Sequence, residues 1–164
     1  MLLTKTMISI RKTEKKDLAA VYALIMELAV YEKEPEAVTA SLTDYERDFE
    51  AGFFRSLVAE VGGEIVGTAV YYPAYSTWKG RMLYLEDFVV TQSYRRKGVG
   101  ELIFEEVIEE ARRMGANRMK WQVLDWNDIA IKFYEKYDAE MEDGWLNANF
   151  TKTQLDGELK KRMR

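Results

Sequence analysis

Two stretches carry residue types that could do chemistry. The first is "LYLEDFVV", where Glu86 and Asp87 interrupt a run of β-forming residues. Acids are depleted inside strands, so an adjacent pair there needs a reason. A carboxylate beside a cleft can take a proton from an amine or hold a cation. Strand side chains alternate, so Glu86 and Asp87 are expected on opposite faces, with only one facing a given cleft. Either Glu86 or Asp87 could be that one. The competing reading is one surface acid beside one salt-bridged acid.

The second stretch is "YRRKGVGELIFEEVIEEARRMG", Tyr94 to Gly115. Arg95, Arg96 and Lys97 run into Gly98, Val99, Gly100 and Glu101, and an amphipathic segment follows at once. A helix start leaves backbone N–H groups without intrahelical partners and carries partial positive charge. Glycines let the backbone approach an anion closely, which is how proteins hold a pyrophosphate. The competing reading is only a tight strand-to-helix turn. No Gly-Lys-Ser/Thr follows, so this is not a P-loop, and the glycine spacing does not fit a dinucleotide fingerprint.

What the chain lacks narrows the chemistry. Its 164 residues include no cysteine and no histidine. Disulfides, zinc thiolates and a cysteine nucleophile are therefore out, and no metal site is expected. A general base must be a carboxylate, a tyrosine, a lysine or water. The net charge of −4 disfavours nucleic acid held on a basic face and suits a small cationic molecule. Hydrophobic residues at 48% and charged residues at 32% read as a soluble globular chain. No apolar run has the length of a membrane span. "MLLTKTMISIRK" has no secretory h-region, so a cytoplasmic protein is expected, with Met7 an alternative start and the first six residues loose.

The elements that must position these residues follow from periodicity. Ile8 to Arg11 alternates as a strand. Asp17 precedes Leu18, Val21, Tyr22, Ile25, Leu28 and Ala29, a helical stripe with Asp17 as its N-cap. Pro35 lies in a loop, and Thr43 with Glu46 fits a capping box for a shorter helix through Phe49. Ser56–Val61 and Glu64–Tyr72 are strands joined by a Gly62-Gly63 hairpin turn, the second stopped by Pro73. Arg81–Val90 is a third strand of this meander. The helix after Gly98 buries Leu102, Ile103, Val107, Ile108 and Ala111 and ends at Gly115. Arg118–Leu124 is a strand, Asn127–Tyr137 a helix, and Ala139–Met141 with Trp145–Lys152 a final strand or pair. The tail from Asp156 reads as a frayed helix. The expected fold is one α+β domain over 1–164, with 1–7 and 155–164 as loose ends. Its mixed sheet has about six to seven strands, an antiparallel N-terminal meander and about four helices.

R-x-x-G-x-G entering a helix after "LYLEDFVV" resembles the acetyl-coenzyme A loop of the GNAT N-acetyltransferase superfamily. "ELAVYEKE", "AVYYPAYSTWKGRMLYLEDFVV", "VLDWNDIAIKFYEKYDA" and "DGW" are similar to its diamine (spermidine/spermine) and thialysine acetyltransferase branch, from about Ile8 to Phe150. The resemblance implies acetyl transfer from acetyl-coenzyme A to a primary amine of a small cationic substrate, by direct attack in a ternary complex and without a metal. It implies two partners, one small amine and a second copy of the chain in a two-fold homodimer that shares C-terminal strands such as "WLNANFTKT".

The same resemblance assigns roles. Glu86 lies by the amine and relays its proton through water. Tyr134, in "FYEK", protonates the coenzyme A thiolate, although the helical stripe of Ile129, Ala130 and Phe133 also makes it a candidate core aromatic. Phe88, Val89 and Val90 meet the acetyl and pantetheine end, and Arg95, Arg96, Lys97, Gly98, Val99, Gly100 and Glu101 meet the pyrophosphate. Asn127 and Ala130 join them, Asn127 also being a sound N-cap. Tyr31, Glu32, Trp78, Asp87 and Asp143 line the amine end, where aromatic faces and carboxylates suit a cation. Two positions depart from the family pattern. Asp138 stands where a glycine is usual, which predicts local strain. Ser76 stands where some polyamine-acetylating relatives carry an acid, which leaves room for a shorter or zwitterionic amine. A peptide acetyltransferase and a non-catalytic acyl-coenzyme A-binding module are the alternatives on the same fold.

Overall fold

The structure, a computed structural model, describes residues 8–157. The expectations for the first six residues and for Met7 lie outside that range, as does most of the polar tail. The described chain groups into two compact units, one up to Gln122 and one from Val123.

The first unit is a five-stranded sheet in sequence order, β1 (Ile8–Lys12), β2 (Arg55–Val61), β3 (Glu64–Ser76), β4 (Gly80–Val90) and β5 (Arg118–Lys120). The first four strands pair antiparallel, as the meander predicts, and β5 joins β4 in parallel. Helices α1 (Leu18–Tyr31) and α2 (Leu42–Glu50) follow β1, and α3 (Val99–Arg113) links β4 to β5. Val21, Leu24 and Ile25 of α1 pack on Val58, Val70 and Val89 of one sheet face. Each such aliphatic burial stabilises by about 2 kcal/mol. On the other face Phe104 of α3 lies 5.8 Å from the Phe88 ring and 5.6 Å from Trp121.

Several boundaries differ from the sequence reading, each for a local reason. Asp17 occupies the N-cap position of α1, as expected, but its side chain makes no cap hydrogen bond to that helix. It sits in a short 3-10 turn (Lys15–Asp17), where its carboxylate takes the Arg11 guanidinium at 2.6 Å and the Glu14 N–H at 2.8 Å. The cap of α2 is Ser41 with Asp44, a capping box two residues ahead of Thr43 and Glu46. The Gly62-Gly63 turn holds, with φ of 59° and 86° suited to a tight hairpin. Pro73 does not end its strand. β3 runs on to Ser76 with Pro73 opposite Leu83, beyond the last β2 pair at Arg55–Tyr71, so no β2 partner asks for the missing N–H. β5 stops at Lys120 instead of Leu124.

In the second unit α4 (Asp128–Glu135) is capped by Asn127, whose Oδ1 accepts the Ala130 N–H at 3.2 Å. The expected strands over 139–141 and 145–152 are not formed. That segment has no regular structure until α5 (Lys152–Asp156), a single turn capped by Thr151. Hence the sheet has five strands instead of six or seven. A β-rich pattern forms a strand only when a neighbouring strand accepts its hydrogen bonds. Asp138 has a φ of 54°, the left-handed conformation that its departure from glycine predicts.

Candidate active site

The site begins with an irregularity in β4. Tyr72 pairs with Tyr84 and Tyr71 with Leu85, but Val70 pairs with Asp87. Glu86 is therefore the extra residue of a β-bulge, and two residues of β4 oppose one step of β3. The bulge resets the alternation. Val70 and Tyr72 share a face, so Asp87 and Tyr84, opposite them, share it too. Glu86 stands on that same face, because Tyr72 Oη donates to Glu86 Oε2 at 2.8 Å. The expectation of opposite faces is thus overturned, and Glu86 and Asp87 share one face.

Their neighbourhood is acidic and aromatic. Burial first, then the Glu86 charge, then the Glu32 charge push the Asp87 carboxyl up to about 6. Burial alone raises Glu32, the residue that closes α1. The Tyr45 phenol is pushed up to about 12 by burial, then by Asp87, and it meets Tyr22 edge-on at 5.1 Å. Tyr72 stacks on Tyr84 at 5.3 Å, and burial followed by the Glu86 hydrogen bond raises its phenol. This patch can hold a cation against three carboxylates and keep one of them ready to take a proton.

Sequence reasoning missed Tyr45, Tyr72 and Tyr84. Tyr72 and Tyr84 had a usable signal, since both fall on strands at positions that hairpin pairing brings opposite each other. Tyr45 had none, because it reaches the acids from a helix remote in sequence.

The parallel pairing of β5 covers only Met82–Tyr84, so β5 leaves β4 just before the bulge. Phe88, Val89 and Val90 lie beyond that divergence. Thr91 then leads through a 3-10 turn (Gln92–Tyr94) into the basic run. Arg96 and Gly98 both take left-handed conformations, φ 59° and 83°, and α3 begins at Val99 with Leu102 N–H as the first donor to Gly98 C=O. The N–H groups of Val99 and Gly100 therefore precede the helical ladder. A Cβ on Gly98 would meet nothing within 4 Å, so its glycine is required by conformation alone. Lys97 Nζ lies 5.1 Å from the Tyr94 ring centroid. This loop fits a pyrophosphate, with backbone donors at a helix of 15 residues and two flanking cations.

Not every predicted residue converges. Arg95 turns its guanidinium over the Tyr31 ring at 5.1 Å and donates from Nε to Val90 C=O at 2.9 Å. Trp78 sits at the tip of the β3–β4 hairpin, 85% exposed. Five paired steps separate the tip from the bulge, about 17 Å along the strands, so the fold does not bring Trp78 to Glu86. In the second unit Tyr134 is buried and meets Phe133 edge-on at 5.5 Å, while Asp143 is exposed before Gly144. Among the described residues no group of acids has the arrangement of a metal site.

The model of the acetyltransferase (GNAT) family matches residues 18–138. A thialysine N-epsilon-acetyltransferase of Bos taurus is 37% identical over 151 residues, covering 84% of this chain and 89% of that protein. A human spermidine/spermine N(1)-acetyltransferase-like protein 1 is 34% identical over 161 residues, covering 89% of this chain and 23% of that protein. Among solved structures, an aminoglycoside acetyltransferase from a soil metagenomic sample, in complex with trehalose, superposes with a TM-score of 0.75 at 18% identity, covering 90% of this chain and 97% of the other. An aminoglycoside N-acetyltransferase in complex with CoA gives 0.72 at 18% identity, covering 87% and 94%. The family model spans most of the chain, and with relatives above 30% identity over most of its length, the chain belongs to the GNAT family of acetyltransferases.

Proposed function

We propose that the chain is an acetyl-coenzyme A-dependent N-acetyltransferase for a primary amine of a small cationic substrate, a diamine, polyamine or thialysine-like molecule, and that 1–164 work as one catalytic domain. The observation that carries this reading is the β4 bulge. It sets Glu86 and Asp87 on one face, with Glu32 close enough to shift Asp87. The thialysine and polyamine relatives support the same substrate class.

Acetyl-coenzyme A supplies an acyl thioester as co-substrate. Asp87, Glu32 and the ring of Tyr31 attract the alkylammonium, which near pKa 10.4 arrives mostly protonated. Glu86 accepts one proton from it through water, with its other oxygen held by Tyr72. Backbone N–H groups of Phe88 and Val90 donate to the carbonyl oxygen as charge builds on it. As the amine nitrogen bonds to the thioester carbon and the C–S bond breaks, Tyr134 gives its proton to the departing sulfur, and the second proton leaves the new amide nitrogen and passes through water to the Tyr134 phenolate. The loop Arg96–Glu101, with Asn127 and Ala130, holds the pyrophosphate and pantetheine arm, while the Arg95 side chain stays on Val90 and Tyr31. Trp78 reaches the amine end only if a second chain supplies it, and Asp143 is proposed as a further acid for the amine. The exposed Trp145, Leu146 and Phe150 support a homodimer joined through this segment, in a protein we place in the cytoplasm.

The test is release of free coenzyme A thiol from acetyl-coenzyme A with spermidine, spermine, putrescine, thialysine, lysine, aminoglycosides and a lysine peptide. The chain has no cysteine, so a thiol reagent reads only product. Turnover of a small amine is the expected outcome, and the ranking selects polyamine or lysine analogue. Turnover of the peptide alone, or silence across the panel with acetyl-coenzyme A still bound, would overturn the reading.

A further inference from the structure

Arg95 opens the basic run before α3, yet its side chain is taken up by the protein itself. Nε donates to Val90 C=O at 2.9 Å, a terminal nitrogen lies 3.8 Å from Glu27 Oε1, and the guanidinium carbon sits 5.1 Å above the Tyr31 ring. Glu27 is fixed in turn. Its Oε2 accepts the Thr91 hydroxyl at 2.8 Å and its Oε1 accepts the Gln92 N–H at 2.9 Å. These contacts join the last turns of α1 to the segment between β4 and α3. Tyr31 is the final residue of α1, and Glu32 beside it is close enough to Asp87 to shift that carboxyl.

We propose that Arg95 is a positioning residue for the amine end. It seats Tyr31, and with it Glu32, against the loop that leads into α3, so one side chain sets the loop and the amine site together. A planar guanidinium can donate in its plane to Val90 while stacking its face on Tyr31, and an ammonium cannot do both. Ordering of the loop by coenzyme A is then transmitted to the end of α1, and the amine binds more tightly once the co-substrate is in place. This inference rests on the function proposed above for the placement of the amine.

Two measurements test it. The first compares the amine KM of Arg95→Lys, Tyr31→Leu, Tyr31→Phe and the Arg95→Lys/Tyr31→Leu double variant, with acetyl-coenzyme A and with S-acetylpantetheine, which has no phosphate, as acyl donors. Arg95→Lys and Tyr31→Leu should each raise the amine KM about fivefold, the size of a partly exposed cation–π contact. Tyr31→Phe should restore it, the double variant should be no worse than either single, and the penalty should persist with both donors, larger with acetyl-coenzyme A, which also orders the loop. A penalty that vanishes with the phosphate-free donor, or that adds in the double variant, would make Arg95 a phosphate ligand and overturn the proposal.

The second measurement needs no amine. Coenzyme A should slow amide exchange over residues 28–34 of the wild type and fail to do so in Arg95→Lys. Equal protection in both proteins, or none in either, sinks the proposal. If no amine turns over in the wild type, the functional reading falls while the exchange experiment still decides the clamp.

Discussion

The Tyr71 phenol donates a 3.0 Å hydrogen bond to Glu110 Oε2, and both residues are buried between β3 and α3. Burial by itself would raise the Glu110 carboxyl. Hydrogen bonds from Tyr71 and Arg113, with the Lys12 charge, outweigh it and hold the group below the ordinary glutamate range. A carboxyl depressed in the folded state adds stability above its unfolded pKa and loses it as pH falls through the folded value. Tyr71→Phe should therefore cost about 1.5 kcal/mol at pH 7 and progressively less below pH 4. Urea melts at several pH values check this. A cost independent of pH would assign the effect to packing.

Asp87 behaves in the opposite sense. Its folded value is raised to about 6, so the fold favours the protonated form. The associated penalty is absent below the unfolded pKa near 3.8, grows as pH rises to about 6, and is complete above it. Asp87→Asn should raise Tm by roughly 4 °C at pH 8 and leave it unchanged near pH 3.5, while weakening amine binding. Thermal melts across that range, beside the amine KM, give the two readouts.

In the function proposed above, the chemical step separates Glu86 and Tyr134 from the rest of the site. Tyr134→Phe should lower kcat by about 100-fold or more with little change in coenzyme A affinity, since it removes a proton donor used only as the thiolate leaves. Glu86→Gln should lower kcat/KM most near neutral pH and recover in part at high pH, where the free amine needs no base. A binding module would show unaltered coenzyme A affinity in both variants and no turnover in the wild type.

Gly98 and Asp138 form a reciprocal pair of backbone tests. Gly98→Ala meets no steric neighbour, so its cost of about 1 kcal/mol comes from a φ of 83° alone, accompanied by weaker coenzyme A binding through the displaced loop. Asp138→Gly should stabilise by about 1 kcal/mol, because a φ of 54° is easy for glycine. Chemical denaturation checks both signs.

Much of this was legible in the residues. The Gly62-Gly63 turn, the helix entry at Gly98, the Asn127 cap and the stop at Gly115 are local, and local chemistry decides them. The bulge at Glu86 was not legible, because it depends on the register between strands, and no property of "LEDF" reveals which residue is left over. Strand alternation thus misdirected the reading of Glu86 and Asp87. The same limit applies to "WLNANFTKT", whose pattern is strand-like but which forms no strand among the described residues. Arg95 read as one more loop cation, since its tie to Tyr31 spans 64 residues of sequence.

Pro73 has a consequence for the behaviour of the protein in concentrated solution. β3 runs five residues past its last β2 pair, from Tyr72 to Ser76, so the far half of the hairpin offers one rim to the surroundings. Such a rim is a template on which a strand from another molecule can lie down, and a proline there denies it one hydrogen bond. The residue that fails to stop its own strand is thus suited to stopping the next one, and it raises the concentration at which these molecules would begin to aggregate edge to edge.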